Sequence, residues 1–138
     1  MEKETKLVFM LIADQDDRFL TSSTLQELGH NVPIRFLSCS AELFAALTEQ
    51  MPSIILLDYN TAPEPGVEIL KQLKSDERYN SIPVVILTDS SLWHYHAQCY
   101  SLGASTVIKK PETSKMTTHK IRTFFDYWVD VAETPAIS

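Results

Sequence analysis

Short apolar runs, rich in β-branched residues and nearly free of charge, alternate along this chain with stretches whose apolar residues fall at helical spacing. Leu7–Ala13 is seven residues without a charge, and Ser53–Leu57 and Ile82–Leu87 are similar. Thr106–Ile108 follows a Gly-Ala turn, and Pro33–Leu37 is a weaker, half-polar candidate. A strand with one wet face alternates apolar and polar side chains. A continuous run is expected where both faces are covered, as in a parallel sheet.

Between the runs, Phe19, Leu20, Thr24, Leu25 and Leu28 are expected to share one helix face, with Gly29 as the stop signal. Ser40 reads as the N-cap of a second helix that turns Leu43, Phe44 and Leu47 inward and ends before Pro52. A third begins after Gly66 and places Val67, Leu70 and Leu73. A fourth opens at Ser90 or Ser91 and runs through Leu92, His96 and Tyr100 to Gly103. The last is the longest, with Met116, Ile121, Phe124, Phe125, Trp128 and Val129 before Pro135. Five strands alternating with five helices predict an α/β fold, a doubly wound five-stranded parallel sheet with right-handed crossovers placing helices on both faces. With 138 residues and no internal repeat or linker, one domain over 1–138 is expected, its core spanning about residues 6–131.

The net charge of −6 argues against a general nucleic-acid or anionic-membrane binder, which needs a concentrated basic face. No apolar stretch approaches the roughly 20 residues of a membrane span. The charged amino terminus lacks a small-residue cleavage site behind it and does not read as a signal peptide. Cys39 and Cys99 are too few for a disulfide framework and lack metal-site spacing. A cytoplasmic location with both thiols structural is expected.

In an open parallel sheet, ligands bind beyond the carboxyl ends of the strands, near the point where strand order reverses. The first run ends at Asp14, followed by Gln15, Asp16 and Asp17; the third ends at Asp58. The fourth ends at Thr88 and Asp89, and the fifth at Lys109 and Lys110 before Pro111. Polar residues also simply terminate strands, so it is the joint arrangement that points to chemistry. Carboxylates brought together repel one another. A hard divalent cation such as Mg²⁺ resolves this, taking oxygens from one or two carboxylates, a carbonyl and waters. A carboxylate beside Mg²⁺ can attack a phosphoryl group and hold it as an aspartyl phosphate. A lysine and a threonine hydroxyl at neighbouring strand ends supply further contacts to the anionic oxygens.

These features resemble the receiver domain of two-component response regulators, especially stand-alone ones of the chemotaxis type. The resemblance covers about Lys6 to Val131 and rests on three motifs in order: IILLDYNTAPEPGVEILKQLK around Asp58, IPVVILTDS around Thr88, and GASTVIKKP around Lys110. It implies a signalling module in which Asp58 accepts phosphate from a phosphohistidine on a sensor histidine kinase. It also implies that Thr88 and Lys110 bind the phosphoryl oxygens, and that the main-chain carbonyl of Asn60 joins Asp14 and Asp58 around Mg²⁺. Asn60 and Ser90 stand where the family tunes phosphate lifetime. The tail YWVDVAETP resembles that of small regulators partnering bacteriophytochrome-type histidine kinases, several of which form homodimers; Trp128 equally reads as packing the final helix onto the sheet. Output through protein contacts, with a homodimer across the fourth helix, fifth strand and fifth helix, is the corresponding expectation.

The chain departs from the family in places. Family members usually carry two adjacent acids after the first strand, whereas Asp14 is followed by Gln15. Either Gln15 fills the second position, or Asp14 is the second acid and Ala13 replaces the first; Asp16 is a further candidate. An amide oxygen is a poorer Mg²⁺ ligand than a carboxylate, so weakened metal binding is expected. Val107 stands where many receivers have an aromatic residue that swings inward, and its stiff χ1 gives no comparable motion. Trp93, His94, Tyr95, His96 and Tyr100 crowd one short helix and cannot all be buried. Two other readings carry distinct expectations. A pseudo-receiver would keep the fold without being switched by phosphate. A phosphohydrolase of the haloacid-dehalogenase type would need a general acid where Asn60 stands.

Overall fold

The computed structural model describes residues 6–12, 14–27, 29, 32–89, 91–110 and 114–135, with 114–117 as backbone only. The apolar runs form five strands: β1 (Val8–Leu11), β2 (Ile34–Leu37), β3 (Ile54–Asp58), β4 (Val84–Thr88) and β5 (Thr106–Lys109). All pair in parallel, in the order β2-β1-β3-β4-β5. The helices between and after them are α1 (Gln15–Glu27), α2 (Ser40–Glu49), α3 (Gly66–Ser75), α4 (Trp93–Ser101) and α5 (Ser114–Phe125). The architecture is the expected doubly wound sheet.

Successive side chains of a strand point to opposite faces, so a strand covered on both sides must be apolar throughout. Phe9, Leu11, Ile55, Leu57, Val84 and Ile86 pack with Leu43 and Leu47 of α2 and Ile69, Leu70 and Leu73 of α3. Val8, Met10, Ile54, Leu56 and Val85 face the other way, against Leu25 of α1 and Phe124 and Phe125 of α5. Every residue of β1 and β3 is buried, whereas edge strand β2 is largely half-buried, which is why its sequence signal is weaker.

Four helix details differ from the sequence expectation, the simplest being that α4 opens at Trp93 with Leu92 as its N-cap, later than the serines expected to start it. Phe19 is 74% exposed, and the inward residues of α1 are Thr21, Thr24 and Leu25. At 100° per residue Phe19 lies about 200° around the helix from Thr21, nearly opposite the buried stripe. Cys39, not Ser40, occupies the N-cap position of α2, without a side-chain cap; instead Glu42 reaches back to accept the Ser38 amide at 2.7 Å. The final helix does not run on as α-helix to Val129. It ends at Phe125 and continues as a π-helical turn, Asp126–Val131, closed by an Ala132 amide donating to Tyr127 O at 2.7 Å. That wider turn keeps Trp128 and Val129 against the α1/α5 face of the core. Ala13, Leu28, His30, Ser90, Pro111 and the Met116 side chain lie outside the described residues.

Candidate functional site

The strand order reverses between β1 and β3, and the candidate residues gather at the carboxyl ends of the strands around that point. Asp58 is the last residue of β3 and only 7% exposed. Its Oδ1 accepts the Asn60 amide at 2.9 Å and its Oδ2 accepts Lys110 Nζ at 2.6 Å. The register explains the meeting. Asp58 pairs with Leu87, Thr88 pairs with Lys109, and the Lys110 amide donates to Thr88 O at 2.8 Å. Lys110 is thereby held one residue past the strand pairing, level with the rim where Asp58 emerges.

The loop after Asp58 is fixed by its backbone. The Tyr59 amide donates to Leu87 O at 2.8 Å and the Gly66 amide to Tyr59 O at 2.9 Å. A β-carbon on Gly66 would run into the Asp58 carbonyl oxygen and stand 3.0 Å from Tyr59 Cα. The spacing from Asp58 to Gly66 thus has a steric cause: only glycine lets α3 start so close behind the acid.

The segment after β1 is arranged differently from a simple row of acids. Asp14 Oδ1 accepts the amides of Asp16 and Asp17, at 2.8 and 3.2 Å, and caps α1. Gln15 and Asp16 are exposed on the first turn. Asp17 is the acid that turns inward, its Oδ2 3.4 Å from Lys110 Nζ. Thr88 closes β4 and is buried; Asp89 beside it is exposed and accepts Asn60 Nδ2 at 3.4 Å. The acidic run in the sequence does not single out Asp17. The signal that would is the cap: a residue three past a capping Asp sits on the first turn directly above it.

Burial disfavours the Lys110 ammonium, but its hydrogen bond to Asp58 and the charges of Asp58, Asp17 and Asp89 outweigh it, and the lysine pKa stands above its usual value. Asp14, Asp17, Asp89, Lys110 and Lys120 rim an open cleft of about 360 Å³ floored by Met10, Ile12, Leu56 and Ile108. Lys120 braces it by donating to Lys109 O at 2.6 Å. Among the described residues, no three of His, Cys, Asp and Glu converge as a ready-made metal cage.

The aromatic stretch is partly exposed as expected: Trp93 is 77% and Tyr100 50% exposed. Tyr95 instead packs edge-on against Tyr59, the neighbour of Asp58, with ring centroids 5.8 Å apart. The Val107 amide, on edge strand β5, donates to the Tyr100 hydroxyl at 3.1 Å. Tyr100 thus reaches from α4 to strand β5.

Residues 10–122 match the family model of the response regulator receiver domain. The chain is 28% identical over 145 residues to the probable methanogenesis regulatory protein FilR2 of Methanothrix harundinacea, covering 98% of this chain and 92% of that protein. It is also 28% identical over 85 residues to the response regulator Rcp1 of Synechocystis, covering 62% of this chain and 58% of Rcp1. Of the transcriptional regulatory protein GltR of Pseudomonas aeruginosa, 28% identical, the match spans 45%. The crystal structure of the phosphorylated cyanobacterial phytochrome response regulator RcpA superposes with a TM-score of 0.88 at 24% identity, covering 96% of this chain and 99% of RcpA. The Mn²⁺-bound form of Rcp1 gives 0.86 at 23%, covering 95% and 99%. At these identities the structural likeness establishes the fold.

Proposed function

This chain belongs to the response regulator receiver family of two-component signalling, and on that footing we propose that Asp58 is its phosphoacceptor, charged by a sensor histidine kinase. The observation that carries the reading is the 2.6 Å contact between Lys110 Nζ and Asp58 Oδ2 at the sheet rim. An Asp58 carboxylate oxygen attacks phosphorus; the new P–O bond forms as the P–N bond of the phosphohistidine breaks, and the imidazole leaves with the electron pair. Both Asp58 oxygens hold hydrogen bonds in this geometry, so the ammonium of Lys110 passes from the carboxylate to a phosphoryl oxygen during transfer. It thereby meets the charge where it develops. The Thr88 hydroxyl, one strand over, takes a second oxygen.

The donors present suit a hard cation, since the rim offers carboxylate, amide and carbonyl oxygens. Mg²⁺ would be held by Asp58, the main-chain carbonyl of Asn60 and an acid of the Asp14–Asp17 segment, with water completing its coordination. When bound, it neutralises charge on the phosphoryl oxygens. The Asp58–Lys110 contact favours a working switch over a pseudo-receiver, which has no need to keep it. The chemistry is stoichiometric transfer followed by hydrolysis, without turnover of a small-molecule substrate.

From the site, the packing of Tyr59 on Tyr95 and the bond from the Val107 amide of β5 to the Tyr100 hydroxyl lead to α4, whose outer face presents Trp93 and Tyr100. Exposed aromatics suit an interface, so output is read through the face of α4, β5 and α5, to a protein partner or a second copy of this chain. No helix among the described residues is long and apolar enough to cross a membrane, and a cytoplasmic setting fits such a partner.

Incubation with Mg²⁺ and acetyl or carbamoyl phosphate, followed by intact-mass measurement, tests the reading. A one-phosphoryl adduct that disappears in Asp58→Asn is expected. No adduct, even with a cognate kinase, would establish the pseudo-receiver instead.

A further inference from the structure

We propose that Asp17 is the second acid of this site, the carboxylate that shares the divalent cation with Asp58 in place of the acid pair usual after the first strand. This rests on the phosphoacceptor reading of Asp58. The other candidates in the segment are otherwise disposed. Asp14 is exposed and commits Oδ1 to two α1 amides as the helix cap. Gln15 is neutral, and both Gln15 and Asp16 are exposed. Asp17 is aimed inward by that same cap.

The independent observation is the lysine. One ammonium nitrogen stands 2.6 Å from Asp58 Oδ2 and 3.4 Å from Asp17 Oδ2, so the two carboxylates already converge on a single positive charge. Their side chains are 10% and 36% exposed, so the Asp58 oxygens are sheltered while Asp17 also borders the open cleft. Two carboxylates, a main-chain carbonyl and waters are a donor set Mg²⁺ accepts, and no third acid is required. The arrangement also gives Lys110 a defined exchange. With the Asp17 and Asp58 oxygens committed to a cation, the Lys110 donors would be released to the phosphoryl group.

Mn²⁺ affinity, read from the EPR signal of the free ion, tests this in the full chain without any appeal to activity. Asp17→Asn is expected to weaken Mn²⁺ binding about tenfold or more, the scale on which metal sites respond to loss of a supporting group. Asp16→Asn removes the same charge one residue away, through screened solvent, and should change affinity about threefold or less. Asp17→Glu, which keeps the carboxylate, should recover part of the loss, and thermal melts check that each variant is folded. Equal small effects of Asp17→Asn and Asp16→Asn would overturn the assignment. Wild-type Mn²⁺ binding in Asp58→Asn would instead overturn the site reading on which it rests.

Discussion

Lys110→Ala removes the ammonium that donates to Asp58 at 2.6 Å and faces Asp17 at 3.4 Å. A charge-assisted hydrogen bond contributes about 1.5–3 kcal/mol, and stripping one partner from a fully buried ion pair costs about 3–5 kcal/mol. The lysine side chain is 23% and the Asp58 side chain 10% exposed, so water screens the pair in part. The expected loss at neutral pH is about 1–3 kcal/mol. That is well inside the roughly 5–15 kcal/mol of an ordinary domain, and the variant should fold. The alkaline limb carries a second signature. The folded pKa of Lys110 is raised above 10.5, so its stabilisation is complete below that value and is lost as pH climbs through the folded pKa. The wild type should therefore lose stability above pH 10.5 that the variant no longer has to lose. Urea denaturation of both proteins at neutral and alkaline pH measures the two effects. Equal stability at neutral pH and parallel decline above 10.5 would refute the placement of the charge between Asp58 and Asp17. The folded variant should also lose phosphorylation-dependent association with its partner, measurable by titration of the phosphorylated protein.

Other consequences are independent of that lysine. Gly66→Ala forces a β-carbon into the Asp58 carbonyl and should destabilise by about 1–3 kcal/mol while slowing adduct formation; an unchanged melting temperature would contradict the steric reading. Cys99 is 1% exposed and burial pushes its thiol pKa up, whereas Cys39 is half-buried. A chromogenic thiol reagent should therefore titrate one cysteine in the native protein and both in denaturant, and two fast native reactions would be wrong for this core. Trp128 lies half-buried, 6.3 Å from the Phe124 ring, so Trp128→Ala should lower stability by about 1–3 kcal/mol even at concentrations where sedimentation shows only monomer. A loss confined to concentrations that support a dimer would assign the residue to an interface instead.

What could be read from the sequence depended on how far each feature is set by local chemistry. β1, β3 and β4 are covered on both faces and announce themselves as unbroken apolar runs. Asp58 and Lys110 follow because the residue after such a run is where polar groups reach the rim, and parallel register then brings them together. Gly66 was legible as a helix start, though its closeness to the Asp58 carbonyl needs coordinates. On the inward face of α1, Thr24 and Leu25 stand as expected, but the small Thr21 joins them while the large Phe19 faces out. Apolarity alone ranks Thr21 and Phe19 the wrong way round. Asp17 was hidden for a related reason: its direction is set by which residue caps α1, and four polar residues in a row leave that choice open. The π-helical turn after Phe125 has no spacing signature that separates it from a continuing α-helix.

The most direct measurement is to locate the phosphoryl group itself. After treatment with acetyl phosphate and Mg²⁺, borohydride reduction converts an aspartyl phosphate to homoserine, and peptide mapping reads its position. Homoserine at position 58 alone is the predicted result. Its appearance at Asp14, Asp17 or Asp89, or nowhere in a protein that still carries the adduct, would contradict the assignment of Asp58 as the nucleophile.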